Sequence, residues 1–68
     1  MASITKKQFM EIQKAAAQLM VVIMERESVS KDTAEDMVVE ILKEHEDLLK
    51  SGDSASVIRA LQSLSKSW

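Results

Sequence analysis

The sequence predicts an all-α fold: an antiparallel helical hairpin followed by a shorter C-terminal helix, assembling as a dimeric helical bundle. Three observations predict it. Leu, Ile, Val, Met and Ala recur at spacings of three and four, the period of a helix with one apolar face. There is no proline, and the single glycine, Gly52, stands between two such stretches. Each stretch follows a Ser, Thr or Asp, residues whose side chains cap helix N-termini. Aromatic content is only 3%, and an apolar mass of aliphatic residues suits helix packing better than strand pairing.

The first helix is expected over roughly residues 5–27. Thr5 as N-cap with Gln8 three residues on makes a capping box, and Ile4 with Phe9 forms a hydrophobic staple across it. Phe9, Ile12, Ala16, Leu19 and Ile23 then lay one stripe along the helix, widened by Ala17, Met20, Val21, Val22 and Met24. Between Ala15 and Met24 only Gln18 is polar. One partner helix cannot cover a surface that is apolar nearly all round, so this helix belongs at the centre of three or more.

The run "RESVSKDTAED" supplies a break and a restart. Ser30 is the expected N-cap, and Asp32, Glu35 and Asp36 sit near the positive end of the next helix dipole. That second helix is expected over roughly residues 31–50. Its apolar face is Ala34, Met37, Val38, Ile41, Leu42, His45, Leu48 and Leu49, and its opposite face is acidic through Glu40, Glu44 and Asp47. Two helices of roughly 20 residues, each about 30 Å long, joined by so short a connection, fold into an antiparallel hairpin.

Gly52 fits the left-handed position that closes a helix, and Asp53 or Ser54 fits the N-cap of the third helix, expected over roughly residues 54–67. Val57, Leu61, Leu64 and Trp68 give it a stripe, with Ile58 beside them. A lone helix of this length is marginal in water. It must dock on its own hairpin, on a second copy or on a partner.

Composition narrows what the chain does. Sixty-eight residues make one domain, 1–68, with a thin core; with no cysteine and one histidine, disulfides and zinc are excluded as staples and oligomerisation is the route left. Hydrophobic content of 46% with 29% charged residues fits a compact domain rather than a disordered tail. Net charge is −2, and residues 30–50 hold the acidity, with three Lys/Arg against seven Asp/Glu. That balance disfavours a protein working through phosphate neutralisation. "LMVVIM" is the longest uninterrupted apolar run of the first helix, far short of the about 18–20 residues that span a bilayer, and no small-residue cleavage site follows it. A soluble, cytoplasmic protein without a membrane segment is expected.

"SGDSASVIRAL" resembles the Gly-Asp-Ser segment of acyl and peptidyl carrier proteins, through Gly52, Asp53, Ser54, Ile58, Arg59 and Leu61. The resemblance implies a phosphopantetheine on Ser54. The sequence departs from the family in having Ala55 where a Leu usually follows the serine, and in lacking the long loop before the motif. Helix capping accounts for the same Gly, Asp and Ser.

Other constellations have plainer readings. His45 has no second histidine, no cysteine and no Glu-x-x-His beside it, which reads as a histidine packed at a helix interface; a pH-sensitive oligomer contact is the functional version. Glu40, Glu44, Glu46 and Asp47 read as a solvated acidic face, or as a docking surface for a basic partner. Met20, Met24 and Met37 fall within apolar faces as gap-fillers, or as part of a groove that adapts to a partner helix. "VSKDTAEDMVVEIL" has the length of a helix-turn-helix segment, but an acidic stretch follows where a basic recognition helix belongs.

No nucleophile–base pair, glycine-rich phosphate loop or metal set is visible, so no catalytic residue, cofactor or metal is expected. The expected function is a small non-enzymatic protein-binding regulator, adaptor or inhibitor of bacterial or phage type, acting through a helical surface as a homodimer. The alternative is a small dimeric DNA-binding transcriptional regulator. Contact with the partner is expected through Glu40, Glu44 and Asp47 and through Val57, Leu61, Leu64 and Trp68. The oligomer core is expected from Phe9, Ile12, Ala16, Leu19, Met20, Ile23, Met37, Ile41, His45 and Leu48.

Overall fold

The computed structural model describes residues 4–68, and the described residues form four helices: α1 (Lys6–Glu27), α2 (Lys31–Glu44), α3 (Glu46–Lys50) and α4 (Ser54–Ser67). No strand occurs among them. The all-α expectation holds, and the hairpin is present as α1 and α2.

Each helix start follows from local chemistry. Thr5 accepts the Gln8 amide at 3.1 Å while the Gln8 side chain accepts the Thr5 amide at 2.8 Å, so the capping box is complete. Ser30 accepts the Thr33 amide at 3.3 Å and caps α2. The α1–α2 turn is made by Ser28, whose φ of 54° and ψ of 43° place a non-glycine residue in the left-handed region. That geometry costs such a residue about 1–2 kcal/mol.

The second expected helix, 31–50, is interrupted at His45. Its backbone turns to φ −105°, ψ 20°, and the short helix α3 resumes at Glu46. The amide of His45 reaches back three residues to Leu42 at 3.0 Å, while its ring Nδ1 donates to the Ile41 carbonyl at 2.8 Å. The side chain takes the acceptor that the backbone uses in a continuous α-helix.

Gly52 closes α3 at φ 79°. The Asp53 amide bonds the Leu48 carbonyl at 2.9 Å and the Gly52 amide bonds the Leu49 carbonyl at 3.2 Å, the paired bonds of a Schellman motif. Asp53, rather than Ser54, then caps α4, accepting the Ser56 amide at 3.2 Å and the Ser56 hydroxyl at 2.7 Å.

The helices run up, down and up around α1. Ala16 and Met20 of α1 share a groove with Glu35 and Val38 of α2, while Phe9 and Ile12 meet Leu42 and Leu49, so α2 is antiparallel to α1. Glu11 and Ala15 meet Ile58 and Gln62, and Arg26 reaches the Trp68 carbonyl at 3.4 Å, so α4 runs parallel to α1. The core is Ile12, Ala15, Leu19 and Ile23 of α1, Ala34 and Val38 of α2, and Val57 and Leu61 of α4. Leu19, Ile23, Val57 and Leu61 are almost fully enclosed, each contributing about 1.5–3 kcal/mol by its removal from water. Met20, Met24 and Met37 fill its margin, as expected of flexible thioethers.

Candidate functional site

The stripe of α4 was expected as a contact surface, and the structure corrects that for two of its four residues. Val57 and Leu61 are each 1% exposed, enclosed between α4 and α1 within a single chain. Leu64 and Trp68 are half-buried and pack against the same core. A stripe of this spacing is covered by whichever surface lies nearest, and here that surface is the chain's own first helix.

The residues expected in an oligomer core divide in the same way. Ile12, Leu19 and Ile23 are buried within one chain, and Ala16, Met20, Met37, Ile41, His45 and Leu48 are half-buried at the edge of that core. Phe9 stands apart from them: it is 53% exposed. His45 spends its Nδ1 on the Ile41 carbonyl, which gives it a structural task within the helix break.

Ser54 is buried, at 6% exposure, in the first turn of α4. That enclosure does not favour the modification which the carrier-protein resemblance implies. The Gly52–Asp53–Ser54 segment is accounted for by the closing of α3 and the capping of α4. Hydrogen bonds from the hydroxyl and then the amide of Ser56 hold the Asp53 carboxyl below its ordinary range.

The acidic residues of α2 and α3 face solvent. Glu40, Glu44 and Asp47 are all exposed. Glu40 pairs with Lys43 at 3.5 Å and Glu46 with Lys50 at 3.2 Å, contacts worth about 0.3–0.5 kcal/mol each on a helix surface. Both pairs are open to water, so they leave Asp36, Glu44 and Asp47 to set a negative surface. Among the described residues no group of three or more Asp, Glu, His or Cys side chains gathers as a metal set. Nor is any helix among them long and apolar enough to cross a membrane.

The apolar surface that one chain leaves uncovered lies on α1 and its border with α2. Met10 is 58% exposed, Val21 50% and Val39 42%. A groove bounded by Ala16, Ala17 and Met20 on α1 and by Val38, Val39 and Leu42 on α2 continues through Leu42 to a second hollow between Phe9, Ile12 and Leu49. The breadth of this belt was readable from Ala17, Met20 and Val21, but Met10 was missed. Its signal was the spacing of Met10, Ala17 and Val21, seven and then four residues, which repeats on one helical face.

No family model, no curated protein and no solved structure matches the chain.

Proposed function

We propose that the chain is a small non-enzymatic regulator, adaptor or inhibitor that works by protein contact, as a homodimer. The observation that carries this reading is the exposed apolar surface formed by Phe9, Met10, Val21 and Val39. Large apolar side chains this exposed on so small a domain mark surface that another protein covers. Self-association takes the α1 side of the molecule, and the outer face of α2 and α3 with Glu44 and Asp47 is left to a partner with a basic surface. The DNA-binding alternative has little to stand on, because the α2 surface repels phosphate.

The test is photo-crosslinking in cells from a reactive residue placed at Asp36, compared with the same protein carrying Glu40→Lys, Glu44→Lys and Asp47→Lys. The proposal expects one discrete crosslinked protein whose yield falls about tenfold or more on charge reversal. A product that persists unchanged in the charge-reversed protein removes the acidic face from the account.

A further inference from the structure

Lysines outnumber the one carboxylate around Met10. Lys6, Lys7 and Lys14 line a shallow hollow around it, together with Glu11. Val21, the other strongly exposed aliphatic residue of α1, lies three helical turns further on along nearly the same face, with Ala17 between them. One turn beyond Val21 stands Glu25, about five turns from Lys7 and therefore at the same angle around the helix. The exposed face of α1 thus carries Met10, Ala17 and Val21, with Lys6 and Lys7 toward its N-terminal end, Lys14 between Met10 and Ala17, and Glu25 toward its C-terminal end. Glu35 of α2, which borders Met20 in the adjoining groove, adds to the acidic end.

A surface with that order is complementary to itself when turned end for end. We infer that α1 pairs antiparallel with α1 of a second copy across a two-fold axis between Lys14 and Ala17. Met10 of each chain then meets Val21 of the other, and Lys7 of each meets Glu25 of the other. In a two-fold contact each such pairing occurs twice. Lys14 of each chain lies beside Ala17 and Gln18 of the other and within about one turn of its own twin, the one like-charge approach of this pairing, where its long side chain extends into water. A parallel arrangement brings all three lysines of each chain against those of its twin and forms no Lys7–Glu25 pair, so charge disfavours it relative to the antiparallel one. Charge order therefore selects a second copy as the occupant of this face. The inference rests on the homodimeric reading above and specifies its geometry.

The experiment is sedimentation equilibrium of the 68-residue chain and four variants: Val21→Glu, Lys7→Glu, Glu25→Lys and the combined Lys7→Glu/Glu25→Lys. Val21 and both charged residues lie outside the core, so circular dichroism should show unchanged helix content in each variant. The inference expects Val21→Glu to weaken the dimer about a hundredfold, because it places a carboxylate in an apolar contact. Each single charge reversal should weaken it about tenfold, and the combined variant should return to within about threefold of the starting protein. A dimer indifferent to Val21→Glu, or charge reversals that fail to rescue one another, overturns the antiparallel pairing and leaves the homodimer standing. A chain that remains monomeric at about 100 µM overturns the pairing and the homodimer together.

Discussion

His45 Nδ1 donates to the carbonyl of Ile41 at 2.8 Å, the acceptor that the amide of His45 itself takes in an unbroken α-helix. That substitution of side chain for backbone ends α2, and α3 begins at Glu46. Leu48 and Leu49 then pack against the core, and the chain turns into α4 at Gly52. His45→Ala removes the competing donor. Loss of one partly buried hydrogen bond costs about 1 kcal/mol, so the thermal midpoint should fall by about 4–8 °C. An unchanged midpoint would locate the cause of the break in packing instead.

Ser28 stores strain at the α1–α2 turn, since its φ of 54° is a glycine conformation. Ser28→Gly relieves the left-handed penalty and loses part of the gain to a more flexible unfolded chain, leaving about 0.5–1 kcal/mol of added stability. Urea unfolding measures it directly. A destabilised Ser28→Gly would show that the Ser28 side chain contributes more to the turn than its backbone costs.

Asp53 makes the capping of α4 sensitive to acid. Hydrogen bonds from Ser56 lower its pKa from the ordinary 3.8, so the ionised carboxylate favours the folded state. The contribution is present above the ordinary carboxylate value and is lost as pH falls through the lower folded-state value. The difference in thermal midpoint between the protein and Asp53→Ala should therefore be largest near neutrality and shrink in acid below that range. A difference that stays constant across the same pH range would mean that the cap works without its charge.

Leu61 and Leu64 belong to one stripe but sit in different surroundings, and substitution separates them. Leu61→Ala empties an enclosed site and should cost about 2–5 kcal/mol, a large share of the about 3–5 kcal/mol that a domain of this size holds. Leu64→Ala, at a half-buried position, should cost clearly less in the same urea titration. Equal and small losses at both would return the α4 stripe to the role of a contact surface.

Much of this structure was legible because it is local. The capping box of Thr5 and Gln8, the Ser30 cap and the left-handed Gly52 each depend on residues within a few positions of one another. The break at His45 was not legible, because a histidine ring competing for the Ile41 carbonyl leaves the apolar spacing of α2 unchanged. The α4 stripe misled for a different reason. Spacing reveals that Val57 and Leu61 need cover, and it does not reveal whether the same chain or another supplies it. The candidate surface was half legible: the apolar breadth of α1 stood in the sequence, and the exposure of Met10 among Lys6, Lys7 and Lys14 needed the folded helix to be seen.

A second copy covering the exposed side of α1 is the central claim. Sedimentation equilibrium of the unmodified protein across micromolar concentrations tests it most directly. The expected result is a species of about twice the 7.6 kDa chain mass, dissociating on dilution and weakened by added salt as its end-to-end charge pairing is screened. A single species at the chain mass, at every concentration and salt, would contradict it.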